Sequence, residues 1–211
     1  MNPFDRTIIA FLNRLAGRSW SADELVHQLS SNYLLKTALL SALLYWTWFR
    51  RNDDGRRRDR RATLVFGLVA SCAAVIVTRI LSFALPFRER PLRAPGLHFV
   101  VPLSVSSHAI NAWSAFPSDN ATLFFGVALT IFLVSRRAGI VAFCHVLLVV
   151  AFARVYLGYH YPTDILGGAA LGMGAVALGF MPRVKSAVTA APMRWLDRNP
   201  QAFQTALCVL V

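Results

Sequence analysis

Five apolar stretches separated by bursts of arginine limit what this 211-residue chain can fold into. A bilayer core takes about 20 apolar residues per helix. The stretches run from Tyr33 to Phe49, Ala62 to Pro86, Ala121 to Val134, Gly139 to Leu157 and Ile165 to Met181. The first is interrupted by Lys36 and ends in Tyr45, Trp46 and Trp48, an aromatic belt suited to a membrane surface. The third is short and borrows flanking residues. The fifth places Gly168 and Gly172 at the spacing that lets helices approach closely in lipid. Only 15% of the residues are charged and 56% are hydrophobic, whereas ordinary soluble domains carry about 25% charged residues. The expected fold class is all-α: a polytopic helical membrane bundle of about five to six transmembrane helices with an N-terminal interfacial helix.

Intrinsic disorder is excluded, because a chain this apolar buries enough surface to offset its ordering entropy. The net charge of +12 invites a nucleic-acid reading, but such a binder spreads its basic residues over one exposed face. Here 20 of the 22 basic residues are Arg, clustered between apolar runs. The distribution is that of a membrane protein, and no nucleic-acid partner is expected. Cys72, Cys144 and Cys208 lie far apart within apolar runs, form neither a zinc nor a disulfide pattern, and read as small buried hydrophobes.

The ends of the chain do not span. Residues 3–16 line up Phe4, Ile8, Phe11, Leu12 and Leu15 opposite Arg6, Asn13 and Arg14, as in a helix lying in the interface. This segment lacks the features of a signal peptide. Ala202 to Val211 is apolar but about half the length of a span. The organisation expected is residues 1–32 as interfacial helix and linker, 33–181 as the membrane core, and 182–211 as a cytoplasmic tail with a partial apolar helix.

Orientation follows from the basic loops. Seven Arg fall between Arg50 and Arg61; Arg136 and Arg137, then Arg183, Lys185, Arg194 and Arg198, mark the other basic turns. Short basic loops stay cytoplasmic. That leaves Phe87 to Asp119 and the turn Gly158 to Thr163 on the outer side of the inner (cytoplasmic) membrane, facing the periplasm or the extracellular space.

Several outer-side residues are not explained by orientation. Arg88, Arg90 and Arg93 oppose the positive-inside bias; they read either as contacts to lipid headgroups or as a phosphate site, for which guanidinium geometry is suited. Ser118 and Asp119 sit at the start of the third stretch, where they fit both an ordinary helix cap and an anion site. Arg154, His160 and Asp164 fall within eleven residues at a helix-turn-helix junction. Ionisable groups there are costly and are functional candidates. His160 and Asp164 are four apart, so the carboxylate can hold one imidazole nitrogen and leave the other as nucleophile or base; a purely structural His–Asp pair is the other reading.

In this order, the three pieces resemble the type-2 phosphatidic acid phosphatase superfamily of membrane lipid phosphatases. Its motifs are K-x6-R-P, P-S-x-H and S-R-x5-H-x3-D. They correspond here to Arg90-Pro91, to Pro117-Ser118-Asp119-Asn120, and to Ala153-Arg154 through His160 to Asp164. The likeness covers about residues 62–181. It implies that His160 attacks phosphorus to form a phosphohistidine, that Asp164 orients it, that Arg90, Arg154 and Ser118 hold the phosphoryl oxygens, and that neither cofactor nor metal takes part. A zinc site from His98, His108 and His160 has no supporting ligand spacing.

The sequence departs from the family pattern in three places. Phe83 replaces the Lys, leaving Arg88 or Arg79 to supply its charge, with Arg88 the better placed. Ala153 replaces a Ser. Asn120 replaces the His that protonates the leaving oxygen, and an amide cannot deliver a proton. General acid catalysis is worth about 10²–10⁴-fold and matters most for a poor leaving group such as a lipid alkoxide. Asn120 is therefore better tolerated in an enzyme that cuts a polyprenyl diphosphate, undecaprenyl diphosphate for example, than in one that cuts a phosphate monoester. His98 and His108 are the alternative acids. Two other functions compete: a pseudo-phosphatase that binds phospholipid headgroups, supported by Asn120, and a small membrane transporter, whose private support is the mid-helix His145. A lone His in such a position is more often hydrogen-bonded to a neighbouring helix. The complete Arg154, His160 and Asp164 set favours the hydrolase.

Overall fold

The computed structural model describes residues 1–50, 54–105 and 113–210, with side chains for all of these except 54–55 and 207–210. Its regular elements are helical: α1 (Pro3–Asn13), α2 (Trp20–Ser31), α3 (Tyr33–Phe49), α4 (Asp54–Ala84), α5 (Asp119–Val134), α6 (Arg136–Tyr156), α7 (Pro162–Ala177), α8 (Pro182–Arg198) and α9 (Pro200–Leu210). All five apolar stretches form helices. Three segments, Arg56–Ala84, Arg136–Tyr156 and Pro162–Phe180, are long and apolar enough to cross a membrane; α3 has 17 residues and α5 has 16.

The apolar helix α5 is packed on by α4, α6 and α7. It is hydrophobic all round, which is the pattern of a buried helix, and Ala121, Ala128 and Ile131 are fully enclosed. Lipid tails are as apolar as leucine, so close packing rather than water exclusion holds such helices together. Gly168 and Gly172 supply it: a Cβ on Gly168 would lie 2.3 Å from the Ser118 carbonyl oxygen, and one on Gly172 1.9 Å from that of Thr122. In α6 the regular turns widen into a π-helical stretch over Val146–Phe152. His145 Nε2 meets the Lys36 carbonyl oxygen at 3.0 Å; a carbonyl only accepts, so the imidazole donates and ties α6 to α3.

The ends of the chain differ from expectation. The arginine run belongs largely to the first turns of α4 rather than to a loop, since Arg is a good helix former and the helix continues into the apolar segment; residues 51–53 lie outside the described residues. Residues 20–31, expected as linker, form α2, capped by the Ser19 hydroxyl on the Ala22 N–H. The tail folds back as α8 and α9. There Met193, Leu196 and Phe203 join the core, Phe203 stacks on Trp48 at 5.8 Å, and Lys185 Nζ reaches Asp59 at 2.7 Å. Cys72 and Cys144 are exposed rather than buried: the outer surface of an apolar bundle accepts a small apolar residue as readily as its interior does. Cys208 falls among the side chains not described.

Two buried carboxylates fasten the N-terminal segment. Asp23 accepts from the Gly17 and Leu103 backbone N–H groups at 3.0 and 2.8 Å, and from the Tyr156 hydroxyl at 2.5 Å. Asp5 accepts from the Thr163 N–H and hydroxyl at 2.9 and 2.7 Å. The protein-facing side of α1 is thus Asp5 and Ile9. Phe4, Phe11 and Leu15, from the apolar stripe, remain exposed.

Candidate active site

A cavity of about 450 Å³ opens at the end of the bundle where α4 finishes and α5 begins. One wall carries His160, in the turn between α6 and α7. Gly158 makes that turn possible: its φ is +71°, and a Cβ there would lie 2.8 Å from the Phe99 ring. The Gly158 carbonyl accepts from the Leu92 N–H at 3.0 Å, pinning the loop that carries Arg88 and Arg90 against the turn.

His160 is 3% exposed. Its Nδ1 lies 2.8 Å from the Ala115 carbonyl oxygen and 3.7 Å from Asp164 Oδ2. The carbonyl only accepts, so Nδ1 carries the proton, and Nε2 is left without a partner among the described residues on a ring that lines the cavity. Burial pushes the imidazole below its ordinary pKa; Asp164 opposes this, while the Arg154 and Arg90 charges act with burial. The ring is therefore neutral at neutral pH, with a lone pair on Nε2.

Asp164 is fully buried and heavily engaged. Oδ2 accepts from the Tyr161 N–H at 2.7 Å, reaching back over the start of α7, and Oδ1 accepts from Arg88 Nη1 at 2.5 Å. Arg88 gives its other arm to Asp5 at 2.7 Å and lies over the Tyr161 ring at 4.1 Å. Both guanidinium arms are thus spent on carboxylates, and Arg88 does not line the cavity. The placement expected for it belongs to Arg79, which does line the cavity, forms an ion pair with Asp119 and stacks over Trp113 at 4.4 Å.

Arg90 and Arg154 also line the cavity. Arg90 donates weakly to the Tyr159 carbonyl at 3.3 Å, its Nε has no partner, and neither does the buried Nε of Arg154. Neither guanidinium has a carboxylate partner among the described residues. Buried cations without an ion-pair partner are expensive, and both of these face a cavity whose carboxylate, Asp119, is paired with Arg79. Asn120 lines the cavity but donates from both N and Nδ2 to Asp119 Oδ1, at 2.8 and 3.0 Å. Ser118 sits fully buried outside the lining, its hydroxyl capping the Ala121 N–H at 3.4 Å. His98, one alternative acid, is exposed in a separate groove near Arg6 and Arg14; His108 lies outside the described residues. No metal-holding cluster of His, Cys, Asp or Glu occurs among the described residues.

Sequence reasoning missed Lys36, which reaches the cavity from α3, and ranked Arg79 behind Arg88. The available signal was the same for both: a cation inside an apolar stretch is costly enough to need a task.

The chain is similar to a known family and to several known proteins. The profile of the PAP2 superfamily matches residues 88–185. The bacitracin transport permease protein BcrC of Bacillus licheniformis is 28% identical over 168 residues, covering 77% of this chain and 72% of that protein. Undecaprenyl-diphosphatase BcrC of Bacillus subtilis is 26% identical over 153 residues, covering 72% and 68%. The putative undecaprenyl-diphosphatase YbjG of Escherichia coli is 30% identical over 141 residues, covering 66% and 63%. No solved structure matches significantly. The matched segment runs from Arg88 through the His160 turn to Lys185, and over it the chain is similar to the PAP2 superfamily.

Proposed function

We propose that this membrane phosphoric ester hydrolase acts on a lipid diphosphate, foremost a polyprenyl diphosphate such as undecaprenyl diphosphate, at the extracytoplasmic face. The observation that carries the reading is His160. Its Nδ1–H is held on the Ala115 carbonyl, and its unpartnered Nε2 shares a cavity with two guanidinium groups that have no ion pair among the described residues. Nε2 attacks the terminal phosphorus and the N–P bond forms. The P–O bond to the bridging oxygen breaks, its electron pair leaving on the lipid monophosphate, and water then hydrolyses the phosphohistidine to phosphate and free His160. Arg90 and Arg154 neutralise the equatorial oxygens, which is most of what phosphoryl transfer asks of a protein. The carboxylate of Asp164 lies 3.7 Å from Nδ1 and stabilises the imidazolium side of the reaction.

Asn120 supports the diphosphate over a phosphate monoester. Its amide is turned onto Asp119 and supplies no proton, so the leaving group must depart unprotonated, as a lipid phosphate does far more readily than an alkoxide. The outward orientation is supported by the arginine-rich start of α4 at the other end of the bundle; the membrane is then the inner one, with the site facing the periplasm or the extracellular space. Detergent-purified protein is expected to release phosphate from undecaprenyl diphosphate faster than from phosphatidic acid or phosphatidylglycerol phosphate, and His160→Ala to lose about 10⁴-fold or more, as nucleophile removal does elsewhere. Turnover that survives in His160→Ala sinks the reading.

A further inference from the structure

We infer that Lys36 is the binding residue for the second phosphate of the substrate, the one that leaves with the lipid; this rests on the diphosphate reading above. Lys36 lies outside residues 88–185 and outside all three motifs, on α3. Its side chain is 3% exposed, yet it lines the same cavity as His160. Its Nζ lies 4.3 Å from the Tyr33 ring centroid and makes no hydrogen bond or ion pair among the described residues. An ammonium on so buried a side chain, with only an aromatic face in direct contact, has poor compensation. Its backbone is fixed, since the Lys36 carbonyl receives the His145 imidazole at 3.0 Å.

Charge and position together assign its task. Within the cavity lining, the carboxylate of Asp119 is already paired with Arg79. Lys36, Arg90 and Arg154 remain, each without an ion pair among the described residues. A phosphate monoester brings at most about two negative charges, whereas a diphosphate ester has three ionisable oxygens. Arg90 and Arg154 are bound to the His160 turn itself: Arg90 Nη1 donates to the Tyr159 carbonyl at 3.3 Å, and the Arg154 carbonyl accepts from the Tyr159 and His160 N–H groups at 3.0 and 3.3 Å. These two cations serve the phosphorus that His160 attacks. Lys36 enters from the α2–α3 side, with Ser30, Ser31 and Tyr33 beside it, and has no bond to that turn. As the P–O bond breaks, the electron pair passes to the bridging oxygen of the lipid monophosphate, and the ammonium offsets the charge there without transferring a proton.

Calorimetric titration of the full-length, detergent-purified protein with methylenediphosphonate and, separately, inorganic phosphate tests this without requiring turnover. Wild-type protein is expected to bind the diphosphonate more tightly. Lys36→Met weakens diphosphonate binding about 10–100-fold, the worth of a charge-assisted bond, and leaves phosphate binding within about 2-fold; Lys36→Arg retains the preference. Lys36→Gln carries the same expectation should the Met variant not be recovered folded. Equal weakening toward both ligands, no weakening, or an Arg variant that behaves like the Met variant overturns the assignment. Lys36-dependent diphosphonate binding in a protein with no His160-dependent turnover would overturn the hydrolytic reading and leave Lys36 as a diphosphate-binding residue alone.

Discussion

Both ends of the bundle gather arginine, and they use it in opposite ways. At the start of α4, Arg56, Arg57 and Arg58 are exposed, and Arg58 pairs with Asp197 of α8 at 2.9 Å. At the other end Arg90 and Arg154 line a cavity whose carboxylate, Asp119, is ion-paired with Arg79 instead. Basic composition alone does not distinguish a topology signal from a binding site. What distinguishes them is whether the cation keeps its water or a counter-charge, because an arginine deprived of both costs free energy that a ligand must offset.

The sharpest test of this contrast is Arg154→Ala, expected to lower kcat/KM on a lipid diphosphate by about 10²–10³-fold, as for loss of one preorganised transition-state donor. A loss under fivefold would make the two arginine clusters equivalent. Next comes pH. His160 must be neutral to attack, and burial first, then Arg154 and Arg90, hold its pKa down against Asp164. Activity should therefore rise with pH along a limb lying below about 6.5, the ordinary imidazole value, and be flat above it. Removing a neighbouring positive charge, as in Arg154→Gln, moves that limb upward in the residual activity; a limb that stays put removes the electrostatic link. Asp5→Asn takes one carboxylate from Arg88 and is expected to cost about 1.5–3 kcal/mol in thermal or denaturant unfolding, as for a hydrogen bond to a charged group, with the loss seen in stability before it is seen in substrate affinity. The smallest effect belongs to Arg58→Ala at the exposed end: its ion pair is worth at most about 1 kcal/mol, and turnover should be unchanged.

The helices and the third motif were legible because both are local. Apolar length forecasts α3 to α7, and the spacing from Arg154 to His160 to Asp164 brings a turn and the start of a helix into one site. What sequence could not rank was reach. Arg88 sits nearer the motif than Arg79, yet Arg88 is captured by Asp5, 83 positions away, while Arg79 extends from the end of α4 across to Asp119. Asp5 drew no reading from the sequence, and its buried role depends on a partner no local pattern reveals. Lys36 was noticed as an interruption of an apolar stretch; its address in the cavity follows from the packing of α3 against α6. The same distinction holds for Cys72 and Cys144, where an apolar run fixed the helix but not which face meets its neighbours.

The widened turns at Val146–Phe152 set a phase. At about 100° per residue in a regular α-helix, the nine positions from His145 to Arg154 would leave these side chains on opposite sides of α6. Both are nonetheless used toward α3 and the cavity it lines, His145 on the Lys36 carbonyl and Arg154 beside the Lys36 side chain. The extra width takes out part of that half-turn, so one helix both clamps its neighbour and brings a guanidinium to the cavity that His160 lines. Shortening this stretch by a single residue would leave every motif intact in the sequence and rotate Arg154 out of step with the rest of the site.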